Sequence, residues 1–300
     1  SSSFIPTMRN LVMNTTAGGS LTLNVPLNIS SSLLMTNGNI ISTSSNSITL
    51  TSETVSSNIG NSGSYINGPC YYNVTSNVAN TLNFPVGKGS KWRPVILGER
   101  NSVATSITFK AEVINTSAKS LGYSFATPAT IDTVSDFNYW DIDRTLTSTG
   151  AALPTQSLTG TQTVTLYYTA TDGVNDPANL RIAKNTSTAS TTWIDIGGTG
   201  SSAGAGFITS TSTPSVFSSY SRFTLADKIG GSNPLPIELI SFTATKNNKQ
   251  VDIKWETASE SNNDYYVIER SKDGVNFEKI ANIDGAGNSL THLNYYSYDY

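Results

Sequence analysis

Residues 21–50 read LTLNVPLNISSSLLMTNGNIISTSSNSITL, and this stretch determines the fold class of the N-terminal part of the chain. Short apolar clusters recur in it, separated by Asn, Gly or Ser, at Leu21–Leu23, Leu33–Met35, Ile40–Ile41 and Ile48–Leu50. They lack the three- and four-residue apolar spacing of a helix. Short strands at short intervals with small polar corners are typical of a β-solenoid, whose rungs bury their inner faces by stacking. Antiparallel hairpins are the alternative, because Asn37-Gly38 is a strong hairpin turn.

The composition of the whole chain excludes several functional classes. A net charge of −3 without a Lys/Arg cluster argues against a nucleic-acid partner, which needs basic charge to neutralise phosphates. No apolar run approaches the ~20 residues of a membrane-spanning helix. One Cys and one His argue against a zinc site, a disulfide framework and a His-based triad. The composition therefore predicts a non-catalytic, extracellular protein without a cofactor.

Helical periodicity is almost absent from the remaining sequence, and short β-rich runs predict an all-β chain. We predict a β-solenoid-like repeat region over residues 1–65 and a β-sandwich over 66–229. Residues 230–236 contain paired glycines and two prolines, which predicts a stiff linker. Residues 237–300 contain five predicted strands of an immunoglobulin-like sandwich that normally has seven. The chain stops within an alternating aromatic pattern, so we expect the natural chain to continue.

Three segments of the last region carry a resemblance to a known family: LPIELISFTA at 235–244, WETASESNN at 255–263 and IERSKDG at 268–274, followed by Phe277. They closely resemble the fibronectin type III-like module near the C-terminus of secreted Bacteroidota proteins. In that family the module commonly precedes a sorting domain read by the type IX secretion system. The resemblance therefore implies export to the cell surface.

Upstream segments resemble the large surface proteins of the same group. LLMTNGNII at 33–41 is similar to their β-solenoid rungs, and YINGP at 65–69, FPVGKG at 84–89 and WRPV at 92–95 are similar to a domain that follows such rungs. This resemblance implies surface display, adhesion or filament building, and it brings no catalytic residues with it.

We therefore expect a secreted structural or adhesive protein, with copies of itself or other surface proteins as partners. An immunoglobulin-like module without its last strands exposes a sheet edge and part of its core, which a strand from another subunit would cover. The predicted strand donor lies near the N-terminus and comprises Phe4, Ile5, Met8, Leu11, Val12 and Met13. A filament subunit that shares strands follows from this hypothesis.

Carbohydrate binding is the alternative function, with Trp92, Trp140 and Trp193 as an aromatic platform. A glycoside hydrolase or lyase ranks third, because Glu53 is the only carboxylate of the solenoid-like region and hydrolysis needs a pair. The carboxylates that offer a pair or a calcium site are Asp136, Asp141, Asp143, Asp172 and Asp176, and turn-capping roles account for them better.

Three further residues have chemistry of their own. Asp132-Thr133-Val134 resembles the Asp-Ser/Thr-apolar site at which Bacteroidota O-glycosylate exported proteins, so Thr133 is the predicted modification site. Cys70, after Pro69, is expected to be a small buried apolar residue or a free thiol. His292 has no identifiable nucleophile partner and is expected to be structural.

Overall fold

A computed structural model describes residues 5–75, 79–100, 106–151, 162–187, 190–211, 220–233, 239–257, 260–289 and 293–300. The chain is all-β, and the helical segments of the described residues are three 3₁₀ turns, Thr16–Gly18, Lys119–Leu121 and Ala170–Asp172. It divides into two compact units, residues 1–233 and residues 234–300. The division falls inside the segment predicted as a linker.

The first unit begins with a β-solenoid of about three turns, as predicted. Its strands pair in parallel within two sheets. The first sheet contains β1 (Thr7–Asn14), β3 (Leu27–Asn37), β5 (Ile48–Leu50) and β8 (Cys70–Val74), and β6 (Ser56–Ser57) also pairs with β3. The second contains β2 (Ser20–Thr22), β4 (Asn39–Ile41), β7 (Ile66–Asn67) and β10 (Val86–Lys88). Parallel pairing excludes the hairpin alternative.

Corners and ladders explain why this sequence forms rungs. Gly38 lies between β3 and β4 with φ +90°, and a Cβ there would lie 2.2 Å from Thr15 Oγ1 and 2.4 Å from the Gly19 carbonyl oxygen. The Asn-Gly signal therefore marks a rung corner. Ile40, Ile66 and Val86 follow one another in register along the second sheet, and all three are fully buried.

The first sheet continues beyond the solenoid without a break. β8 is parallel to β5 on one side and antiparallel to β13 (Ile107–Ile114) on the other. From there the sheet continues through β16 (Tyr139–Leu146), β21 (Arg222–Lys228), β18 (Leu180–Asn185), β19 (Thr192–Asp195) and β14 (Ser124–Phe125), and β15 (Ile131–Val134) pairs with β21. The sheet thus crosses the boundary predicted at residues 65 and 66, because β8 belongs to both regions.

A separate antiparallel sheet contains β9 (Ala79–Phe84), β12 (Val95–Arg100), β17 (Thr163–Tyr168) and β20 (Gly206–Thr209). β11 (Lys91–Trp92) pairs with β10 at the end of the second solenoid sheet. The rings of Tyr72 on β8 and Phe84 on β9 pack edge to face with centroids 5.2 Å apart. The interiors of the long sheet and of the four-stranded sheet meet at this contact.

A buried ion pair joins distant parts of the first unit. The Arg93 guanidinium binds the Asp172 carboxylate, and both side chains are almost completely buried. Asp172 also accepts hydrogen bonds from the Thr169 amide at 2.6 Å and hydroxyl at 3.0 Å. The backbone of Arg93 donates to Val86 and accepts from the Trp140 indole. Arg93 therefore contacts the solenoid, the long sheet and the turn after β17, and it holds these three parts together.

Arg144 is a second buried arginine with a different environment. It lies on the interior face of β16 beside Phe109, and its guanidinium lies 5.5 Å from the centroid of the Tyr220 ring. None of its three guanidinium nitrogens has a hydrogen-bond acceptor in the part of the chain that the structure describes. A buried charge without a partner is costly, and the ring provides only partial compensation.

The second unit contains five described strands in two sheets. One sheet has β22 (Leu239–Asn247), β23 (Gln250–Thr257) and β26 (Leu293–Asp299), and the other has β24 (Glu260–Ser271) and β25 (Phe277–Ser289). Its core contains Ile253, Trp255 and Ile268. Trp255 stacks on Tyr295 with centroids 5.2 Å apart and 11° between the ring planes.

Glu260 is a buried carboxylate beside these aromatic rings. It accepts hydrogen bonds from Asn263 at 2.9 Å, the Ala286 amide at 2.8 Å and the Thr257 and Tyr295 hydroxyls. Burial raises the pKa of the Glu260 carboxyl, but the hydrogen bonds from Asn263, Tyr295 and Ala286 together lower it by more than burial raises it. The net pKa lies below its ordinary value, so the ionised form stabilises the fold.

Replacing Arg93 by Met is expected to lower the free energy of unfolding of the first unit by about 3–5 kcal/mol, because it leaves the Asp172 carboxylate buried without its cation. Arg144→Met is the matched control, since it removes an equally buried arginine for which the described residues provide no hydrogen-bond acceptor. We expect it to change the free energy far less or to increase it. Urea unfolding followed by tryptophan fluorescence measures the free energy of unfolding of both variants. Equal losses in the two variants would contradict a specific stabilising role for the Arg93–Asp172 ion pair.

The second unit is expected to lose stability as the pH falls below about 4.5, the ordinary pKa of a glutamate. The folded-state pKa of Glu260 is lowered, so its contribution to the free energy of unfolding is complete above the unfolded-state pKa. This contribution is lost as the pH falls through the folded-state pKa. Glu260→Gln should reduce this dependence, while Glu269→Gln on the exposed side of the same strand should retain it. Thermal unfolding at pH 7 and pH 3, followed by the Trp255 indole proton resonance, tests this.

Candidate functional site

The structure separates the three tryptophans predicted as an aromatic platform. Trp140 and Trp193 are fully buried, and their indole nitrogens donate to the carbonyl oxygens of Arg93 at 3.0 Å and Gly122 at 2.9 Å. Both are core residues of the first unit, so the prediction that they bind a glycan at the surface is wrong. Trp92 alone is partly exposed.

Trp92 belongs to an aromatic group that the sequence did not indicate. Its ring centroid lies 5.4 Å from that of Tyr167, and Tyr167 lies 5.5 Å from Phe207. The ring planes are tilted by 53° and 36°. Trp92 and Tyr167 are half-buried and Phe207 is 44% exposed. We call Trp92, Tyr167 and Phe207 the aromatic strip.

Backbone pairing and side-chain anchors fix the aromatic strip. Tyr167 on β17 and Phe207 on β20 are directly opposite each other in an antiparallel ladder. The Trp92 indole donates to the Ile59 carbonyl oxygen at 2.7 Å, and Lys91 Nζ donates to Thr171 Oγ1 at 2.8 Å. The three rings therefore have defined positions without a ligand.

Hydroxyl groups border the aromatic strip. Thr165 and Thr209 lie one step along the same face of β17 and β20, with their Oγ1 atoms 2.8 Å apart. Thr169 and Thr171 form a second hydroxyl pair at 3.0 Å, next to the Lys91 ammonium. Aromatic rings edged by neutral hydrogen-bonding groups can hold a ligand that has both an apolar face and hydroxyls.

The carboxylates considered for calcium or catalysis lie apart and are bound within the protein. Asp136 forms a buried ion pair with Lys119, and Asp172 pairs with Arg93. Asp141 and Asp143 lie on the same face of β16 as predicted, but Asp141 binds Lys110 at 2.7 Å and Asp143 accepts the Arg144 amide. Asp176 binds Asn179 at 2.7 Å. No group of three or more metal-binding side chains comes together in the described ranges.

Thr133 and Cys70 lie in the interior. Thr133 is on β15 and buried, so a transferase could not reach its hydroxyl in the folded protein. Cys70 on β8 is a free, fully buried thiol, and burial raises its pKa. A protonated thiol in an apolar interior is unreactive, which agrees with the expected structural role. His292 lies outside the described residues.

Most of the predicted strand-donor segment is already part of the solenoid. Met8, Leu11, Val12 and Met13 belong to β1, which pairs in parallel with β3, and Met13 is buried. Ile5 precedes the strand and is exposed, and Phe4 lies outside the described residues. These residues could be donated to another subunit only if β1 left β3. The segment therefore offers a paired strand with one open edge, which revises the prediction of a free donor arm.

Among the described residues, no strand covers the first rung of the solenoid. Leu21 on β2 occupies the same inner ladder as Ile40, Ile66 and Val86. Those three are fully buried, whereas Leu21 is 38% exposed. Within the described part of the chain, β1 and β2 are the terminal strands of their sheets. In the described part of the chain, this end of the solenoid therefore combines exposed apolar side chains with strand edges that pair with no further strand.

No helix among the described residues is long and apolar enough to cross a membrane. Comparison of the chain with protein-family models, with curated proteins and with solved structures found no match.

Proposed function

We propose that this chain is a non-catalytic structural or adhesive protein of the bacterial cell surface, which associates with other copies by pairing β-strands at the open end of its solenoid. The observation that carries the proposal is the exposure of Leu21 in a ladder whose other members are fully buried. A rung cannot bury its own inner face, so the open rung gains stability when another strand layer covers it.

The edge of β1 supports the same conclusion. Val12 and Leu34 are in register on β1 and β3, and they are 56% and 43% exposed. Free backbone N–H and C=O groups on a terminal strand are a template for an incoming strand, and apolar side chains beside them add burial. The edge therefore combines the two contributions that strand pairing between subunits requires.

The second unit contains another open edge. β24 pairs with β25 alone among the described strands. Phe242 on β22 lies in the row of Trp255 and Tyr295, yet it is 56% exposed while Trp255 is buried. The exposed Phe242 side chain offers apolar surface to an added strand, which supports the proposal of strand pairing between copies. The assignments of this unit as fibronectin type III-like and of residues 66–229 as a β-sandwich remain predictions.

The composition and the resemblance support an extracellular location. Low charge and many hydroxyl and amide side chains suit a surface whose contacts do not depend on salt. The segments at 235–244 and 255–263 resemble modules of type IX secretion substrates of Bacteroidota, which are exported proteins. Secretion by this route is part of the proposal.

Sedimentation velocity of the intact chain at increasing concentration tests the association, and we expect dimers or larger oligomers. Val12→Lys should raise the dissociation constant of the oligomer at least tenfold, because a lysine on an edge strand opposes pairing. Leu34→Lys is the matched control, since it places the same charge on the same face one strand inward. It should weaken association much less.

A wild-type chain that stays monomeric at all concentrations would contradict association through the open rung. An equal loss in both variants would also contradict edge pairing, because it would indicate packing through the outer face of the solenoid. Electron microscopy of the wild-type material then distinguishes closed oligomers from filaments.

A further inference from the structure

We propose that the aromatic strip formed by Trp92, Tyr167 and Phe207 is a binding site for a neutral carbohydrate chain. This site lies on the β11, β17 and β20 side of the first unit and is separate from the strand edges to which the proposed association is assigned. It uses only Trp92 of the three tryptophans considered from the sequence. The ligand class follows from the size, chemistry and rigidity of the strip.

The size of the strip fits a small ligand better than a protein partner. A whole aromatic side chain buries about 150–250 Å². Three partly exposed rings therefore offer much less than the roughly 800 Å² that each partner buries in a standard protein interface. An elongated ligand that lies along the rings needs no larger surface.

The chemistry of the strip matches a sugar ring. A pyranose has one face of C–H groups, which packs on the face of an aromatic ring, and a rim of hydroxyls that both donate and accept hydrogen bonds. The strip supplies three partly exposed aromatic rings, and Thr209, Thr169 and Thr171 supply accessible hydroxyls, while Thr165 is buried and holds Thr209 in place. Lys91 donates to the uncharged Thr171 hydroxyl, so this contact leaves the charge of Lys91 in place beside the strip. The rings and hydroxyls of the strip are themselves uncharged and suit a neutral saccharide, and the acidic hexamer in the test below measures what the charge of Lys91 contributes.

The rigidity of the strip lowers the entropic cost of binding. Tyr167 and Phe207 are held by the β17–β20 ladder, and Trp92 is held by the Ile59 carbonyl oxygen. Aromatic side chains on a preorganised surface lose little conformational freedom when a ligand packs on them. Exposed rings kept in fixed contact on a sheet are thus suited to recognition.

The test uses the intact chain with four oligosaccharides: cellohexaose, xylohexaose, mannohexaose and an acidic galacturonic acid hexamer. Isothermal titration calorimetry measures the affinity, and tryptophan emission reports the environment of Trp92. We expect at least one neutral hexasaccharide to bind. Phe207→Ala should weaken that binding about tenfold, which corresponds to about 1.4 kcal/mol.

Phe277→Ala is the matched control, because Phe277 is a 60% exposed phenylalanine of the second unit. It should leave the affinity unchanged. Near-ultraviolet circular dichroism checks that Phe207→Ala retains the fold, and Tyr167→Ala gives an independent second variant. Val12→Lys should bind the sugar normally, which separates this proposal from the one on association.

Two results would overturn the carbohydrate site. One is the absence of binding to all three neutral hexasaccharides at millimolar concentration, or binding to the acidic hexamer alone. The other is wild-type affinity in both Phe207→Ala and Tyr167→Ala.

Discussion

The ion pair between Arg93 and Asp172 joins residues that are 79 positions apart in the sequence, and the arrangement of the first unit depends on it. Two charges this deeply buried are stable only if each finds the other. Their pairing therefore fixes the segment before β12 against the turn after β17. Trp92 precedes Arg93, and Tyr167 lies a few residues before Asp172. The same pair thus brings two rings of the aromatic strip together, and the neighbouring contact between Lys91 and Thr171 reinforces it.

β8 gives the solenoid two different ends. On its last rung β8 continues into an antiparallel sheet through β13, so the inner residues there are covered by strands of the same unit. On the first rung, β1 and β2 have no described strand beyond them, and Leu21 is exposed. A solenoid needs a cover at both ends because its core continues along the stack. The proposed association is therefore assigned to the end of the repeat at which no described strand provides this cover.

The sequence predicted those parts of the fold that depend on local pattern. The solenoid followed from the spacing of its clusters, and strands of the second unit, such as Gln250–Thr257 and Phe277–Ser289, begin at the predicted residues. The burial of Trp140 was not predicted, although its alternation with Asp141 along a strand places the two side chains on opposite faces. The contact between Tyr167 and Phe207 was not predicted either, since it depends on the register of β17 against β20 across forty residues. Long-range register of this kind has no local signature.

The sequence of β1 supports the proposal that another strand pairs with its outer edge. Edge strands of proteins that remain monomeric are protected by lysines, by inward-pointing charges, by bulges or by prolines. β1 reads TMRNLVMN, with Arg9 as its only charged residue. A register shift between Met8 and Asn10 marks a bulge near its start, but Leu11, Val12 and Met13 continue in regular register with β3. The regular half of the strand has no charged residue or proline to oppose pairing, although the whole chain contains 18 Lys and Arg residues. A regular, uncharged edge next to a rung that no described strand covers is the basis of the proposal that another strand pairs with β1.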